Sequence, residues 1–156
     1  MACLMSVFRT NRPSIESWNN GKEAAIPMEE LKRLMHVEDD ESIRMITSIT
    51  LESIGNLEVL SCESGFLALE KFHEFQPQVI LMDVMMPELD GPETLEKIKA
   101  QFDLTNIMVL FMTAKVQQEE IAHFKAIGGY AVIEKPFDPM TLSEKIEGFW
   151  DSFGNK

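Results

Sequence analysis

Four apolar runs of strand length each close on a chemically reactive residue: LMHV on Glu38 and Asp39, VILM on Asp83, VLFM on Thr113 and AVIE on Lys135. Continuous apolar runs of this kind suit the strands of a parallel sheet covered on both faces. In an open sheet of that type the carboxyl ends of the strands form the crevice where ligands bind, so residues closing successive strands converge. Glu38, Asp39, Asp83, Thr113 and Lys135 would then share one pocket. Clustered carboxylates repel one another unless a divalent cation sits among them, while Thr and Lys are suited to hold phosphoryl oxygens. The set points to a phosphoryl-accepting carboxylate.

From Leu31 onward, strand and helix patterns alternate five times, with strands expected near 32–37, 57–62, 78–82, 107–112 and 130–134. The first helix pattern, Asp40–Ile54, places Ile43, Ile46, Thr50 and Ile54 at helical spacing and is closed by Gly55. Ser64 can cap the second, which aligns Ala68, Phe72 and Phe75. Leu95, Ile98 and Phe102 stripe the third, and Ile121, Phe124 and Ile127 the fourth, which Gly128 would stop. Asp138 followed by Pro139 opens the fifth, with Leu142, Ile146, Phe149 and Phe153 toward the core. Alternating β and α elements imply right-handed crossovers and an α/β, doubly wound, five-stranded parallel sheet.

The segments VEDDESIR, ILMDVMMPELDG, VLFMTA and EKPF together resemble the signatures of bacterial two-component response regulator receiver domains, over roughly Leu31 to Phe153. Their intervals agree with the family: 44 positions from Asp39 to Asp83, 30 to Thr113 and 22 to Lys135. The resemblance implies a flavodoxin-like (βα)5 fold with strand order 2-1-3-4-5. Its topological switch point would lie between strands one and three, where Asp39 and Asp83 end. It further implies a stand-alone, chemotaxis-type signalling domain, not an enzyme beyond its own phosphorylation and dephosphorylation. Its expected partners are a sensor histidine kinase or histidine phosphotransfer protein and a downstream protein target.

Within that reading Asp83 accepts the phosphoryl group, its carboxylate attacking in line with the leaving group. Pro87 and Asp90-Gly91 form the loop that follows the family's acceptor. Glu38 and Asp39 would hold Mg2+ with Asp83, and the resemblance adds the backbone carbonyl of Met85, with waters in the remaining positions. Asp40 and Glu41 are assigned to favourable charge at a helix N-terminus. Thr113 would reach a phosphoryl oxygen past the small Ala114, and Lys135 would supply a positive charge. The Lys135–Pro136 bond is expected to be cis, as in the family. The chain departs from the family at Val132, where a Tyr or Phe usually reports phosphorylation; Tyr130 is two positions early and is read as a packing residue. His36, His73 and His123 lack metal-ligand spacing, and His36 is read as structural. Two other functions compete. A haloacid-dehalogenase-like phosphatase with an aspartyl-phosphate intermediate would carry a second acid where this chain has Met85, and a receiver-like interaction domain would have lost the reactive residues that this chain retains.

Net charge is −12, and residues 31–156 carry 11 basic and 22 acidic groups, so nucleic acid is not an expected partner. The longest apolar runs are strand-length, which excludes membrane insertion by a helix of about 20 apolar residues. MACLMSVFRTNR lacks the basic start of a signal peptide, and Cys3 and Cys62 have no disulfide or metal spacing, so a cytoplasmic location is expected. Residues 1–30, with scattered Pro13, Asn19-Asn20-Gly21 and Pro27, are expected to be a poorly ordered extension preceding a domain at 31–156. Met28 opens MEELKRLMHVEDD, which resembles an ordinary receiver start, so an alternative translation start is expected there.

Overall fold

The computed structural model describes residues 28–156, so the expectations for residues 1–27 lie outside the described residues. The elements are β1 (Arg33–Val37), α1 (Glu41–Ser53), β2 (Glu58–Cys62), α2 (Gly65–Phe75), β3 (Val79–Asp83), α3 (Gly91–Lys99), β4 (Met108–Thr113), α4 (Gln118–Ala126), β5 (Ala131–Glu134) and α5 (Pro139–Gly154). The strands pair in parallel in the order β2-β1-β3-β4-β5, as the resemblance implies. Every strand begins one residue later than its sequence pattern suggests, and β3 and β4 run one residue further. Asp83 and Thr113 are therefore the last paired residues of their strands, opposite Met112 and Glu134. Ladder hydrogen bonds thus hold both backbones directly.

β3 and β4 are buried along their whole length because helices cover both faces of the sheet. Side chains alternate between two cores. Leu34, Val79, Leu81, Leu110, Met112 and Ile133 pack against Leu51 of α1 and Leu142, Ile146 and Trp150 of α5. Met35, Val37, Ile80, Met82 and Phe111 pack against Ala68 and Phe72 of α2, Leu95 and Ile98 of α3 and Phe124 of α4. Fully burying one such side chain contributes about 1.5–3 kcal/mol, so the fully buried central strands contribute heavily to the stability of the fold.

Helix starts follow the sequence closely. Asp40, Ser64, Asp90 and Asp138 each accept a backbone N–H as N-caps, and Asp90 with Glu93 completes a capping box. In α1 the inward face differs from the expected stripe. Thr47, Thr50 and Leu51 are buried, whereas Ile46 and Ile54 are 45% and 49% exposed. The helix is apolar around most of its circumference, with Met45 and Ile49 also exposed, so spacing alone does not single out the packed side. Beside the buried Thr side chains, Ser48 of α1 shares a hydrogen bond with Ser61 of β2. In α5, Trp150 is more buried than Phe149 or Phe153, and its Nε1 donates to the Glu29 carbonyl at 3.0 Å. Gln78 donates similarly to the Glu30 carbonyl at 3.0 Å, so residues 29–30 are tied to the domain.

Candidate functional site

Strands β1 and β3 lie side by side in the middle of the sheet and end at the same level, with Val37 opposite Met82. The residues that follow or close them, Glu38, Asp39 and Asp83, bring one carboxylate oxygen each to within 4.8 Å of one another. Glu38 and Asp83 are buried, at 1% and 4% exposure, while Asp39 is exposed. Asp40, which follows them, points instead into the helix, its Oδ1 accepting the Ile43 amide at 2.9 Å. The division of the acidic run into site and cap residues is thus physical. One half serves the crevice and the other serves the orphan amides of α1.

Lys135 arrives from the end of β5, whose backbone is fixed by a 2.9 Å bond from the Lys135 amide to the Thr113 carbonyl. Its Nζ lies 2.8 Å from Glu38 Oε2 and 3.2 Å from Asp83 Oδ1. The Lys135–Pro136 bond is cis, as the resemblance implies. Burial works against the ammonium, but the Glu38 hydrogen bond and the Asp83 charge outweigh it and raise the Lys135 pKa. Burial pushes Glu38 upward, with the Asp83 charge adding and the Lys135 bond opposing. One ammonium among these acids leaves the pocket strongly negative. An all-oxygen donor set of this kind fits a hard divalent cation such as Mg2+.

Thr113 is buried, and its hydroxyl oxygen accepts the Lys115 amide at 3.2 Å, which leaves its proton free to donate toward the crevice. Ala114 beside it is exposed. Met85 sits in the β3–α3 connection with its side chain 78% exposed. The Asp-Gly step behind that connection has a packing reason: a Cβ on Gly91 would collide with the Asp83 backbone, and the Gly91 amide donates to the Val84 carbonyl at 3.0 Å. The structure therefore gathers Glu38, Asp39, Asp83 and Lys135 and sets Thr113 at the adjoining strand end.

Other candidates lie elsewhere. Among the described residues, Glu38, Asp39 and Asp83 form the one group of His, Cys, Asp or Glu able to surround a metal, and no histidine joins it. His36 is fully buried in β1, and burial, with the Lys135 and Arg44 charges, lowers its pKa to about 3. Burial raises the Cys62 thiol to about 11, which suits an inert core residue. Val132 pairs with Phe111 across the β4–β5 ladder and packs on the α4 side of the sheet. Tyr130 packs edge-on against Phe149 and Phe153, with Lys156 over its ring. One contact escaped the sequence reading. Arg44, inside the VEDDESIR segment, donates to the Glu38 and Asp39 carbonyls at 2.7 and 3.1 Å. Its position early in α1 is the only sequence signal for that role, and it reads equally as a solvated arginine.

The protein family described as response regulator receiver domain matches residues 34–147. Response regulator protein VraR of Staphylococcus saprophyticus is 32% identical over 115 residues, which is 73% of this chain and 54% of that protein. Chemotaxis protein CheY1 of Helicobacter pylori is 31% identical over 116 residues, covering 74% of this chain and 94% of that one. The structure of Vibrio cholerae chemotaxis protein CheY4 superposes with a TM-score of 0.71 at 29% identity, covering 77% of this chain and 99% of that one. The chain spans about half the length of VraR and of the transcriptional regulators CseB and ycf27 that it also matches. Among the described residues no helix is long and apolar enough to cross a membrane.

Proposed function

The chain belongs to the response regulator receiver family of two-component systems, and from that premise we propose that Asp83 is its phosphoryl acceptor. The donor is a phosphohistidine on a sensor kinase or phosphotransfer protein. An Asp83 carboxylate oxygen attacks phosphorus, an O–P bond forms, the P–N bond to the donor imidazole breaks, and that ring leaves with the electron pair and takes up a proton. Thr113 donates its hydroxyl proton to a phosphoryl oxygen, and Lys135 shifts its ion pair from the carboxylates to the new acyl phosphate. Glu38, Asp39 and Asp83, with the Met85 carbonyl that the resemblance adds, would hold Mg2+, which would supply neutralisation of the phosphoryl charge. The phosphorylated domain then acts in the cytoplasm through contacts with a downstream protein.

The observation that carries this reading is the 3.2 Å pair between Lys135 Nζ and Asp83 Oδ1 within the acid cluster, at the switch point of the sheet. Such a cluster at a strand end is costly to bury and serves no core packing, which favours a functional role over a structural one. The phosphatase alternative has no support from the family match, and Met85 occupies the place of its second acid. Intact-mass analysis after incubation with acetyl phosphate, with and without Mg2+, tests the proposal. A single phosphoryl group that hydroxylamine and base both remove is expected, dependent on Mg2+ and absent from Asp83→Asn. An undiminished yield in Asp83→Asn refutes it.

A further inference from the structure

Asp39 is the exposed member of the acid cluster, and among the described residues its carboxylate has no hydrogen-bond or ion-pair partner. Glu38, by contrast, is held by Lys135 and by the Asp40 amide at 3.1 Å. The direction of the Asp39 carboxylate therefore depends on its backbone. That backbone is anchored on the β1 side by the Glu38 amide donating to the Cys62 carbonyl at 3.0 Å, and on the helix side by the Asp40 cap. Between these anchors the two peptide carbonyls of the acid pair project toward α1, and the Arg44 guanidinium takes both at 2.7 and 3.1 Å. Both bonds come from Nη1, whose two N–H groups lie in the fixed guanidinium plane, so holding two successive carbonyls restrains their direction as well as their distance.

We infer that Arg44 is a positioning residue for the acid pair, clamping the Glu38 and Asp39 carbonyls and so aiming the Asp39 carboxylate at the cation site. The inference rests on the Mg2+ reading given above. It makes a counterintuitive demand. Arg44 is a positive charge close to a cation site, so as a charge alone it opposes Mg2+, and its removal would tighten binding. As a clamp it favours Mg2+ by pre-organising a ligand, and its removal weakens binding. The sign of the change separates the two roles.

Calorimetric titration of the full chain with MgCl2, for the wild type, Arg44→Met and Arg44→Lys, decides between them. Outer partners of metal ligands typically contribute about 10–100-fold to affinity, and Arg44→Met is expected at the lower end, about tenfold weaker. Arg44→Lys keeps the charge and can reach one carbonyl, so it should fall between the two. Hydrogen exchange in EDTA supplies a readout without metal: the amides of Asp39 and Asp40 should exchange faster in Arg44→Met while those of β3 and β4 are unchanged. If Arg44→Met does not fold, Arg44→Lys carries the test alone, since its ammonium falls about one bond short of the Nη1 position and loses reach but not charge. Mg2+ affinity unchanged or tightened in the folded variants overturns the clamp and leaves the metal reading standing. A wild type that does not bind Mg2+ overturns both.

Discussion

Replacing His36 with Val should make the protein more acid-resistant, by an amount that grows as pH falls. His36 is fully buried in β1, and neither ring nitrogen has a protein partner among the described residues. Its pKa falls from 6.5 to about 3, chiefly because burial disfavours the imidazolium, with the Lys135 and Arg44 charges adding. The folded pKa lies below the unfolded one, so below about pH 6.5 the unfolded chain gains a proton that the folded protein refuses. Stability is undiminished by this residue above that pH and is lost progressively down to the folded pKa. Each unit is worth about 1.36 kcal/mol, so at about pH 4.5 the loss is about 2.7 kcal/mol. Glu38 shifts in the opposite sense, but it is present in both proteins and cancels in the difference. Val suits a buried strand and has no polar atoms to desolvate, which adds on the order of 1 kcal/mol at neutral pH. Urea unfolding in EDTA, followed by tryptophan fluorescence across this range, measures the gap between the two proteins. A gap that stays constant with pH refutes the reasoning, because it would mean that the ring is charged or well paired within the fold.

Asp39→Ala should abolish Mg2+ binding while Asp40→Ala chiefly removes a helix cap at a cost of about 0.5–2 kcal/mol, a contrast that metal titration and thermal melting read separately. Equal losses of metal affinity would contradict the division of the acidic run. Gly91→Ala places a methyl group against the Asp83 and Val84 backbone, so it should destabilise by more than about 1 kcal/mol and slow acetyl phosphate labelling together. Labelling at the wild-type rate would show that the loop yields freely. Val132→Ala should cost about 1–3 kcal/mol by leaving a cavity beside Phe111, with labelling of Asp83 retained. A loss of labelling would place Val132 in the phosphorylation step itself and not in packing.

The reactive end of each strand was legible because short continuous apolar runs alternating with helical patterns suit buried parallel strands, and a reactive residue closing such a run lies at the strand's mouth. Caps were legible for a similar reason: Ser64 and Asp138 satisfy amides within a few residues of themselves, so a local pattern carries the whole interaction. Strand order came from the family resemblance, since periodicity has no term for which strands are neighbours. What remained hidden depends on contacts between distant segments. Of the expected α1 stripe Thr50 is buried, but the sheet beneath takes Thr47 and Leu51 with it and leaves out Ile46, which is as apolar as Leu51. Trp150 is anchored through a carbonyl 121 positions away, and Lys135 is paired with Glu38 across 97. Arg44 belongs with them, although it is close in sequence to the residues it holds. Its partners are peptide carbonyls, which every residue possesses, so no side-chain pattern could mark them. Composition and spacing determine which groups reach the crevice, whereas the direction in which each group points is decided only when the loop, the helix and the sheet are assembled.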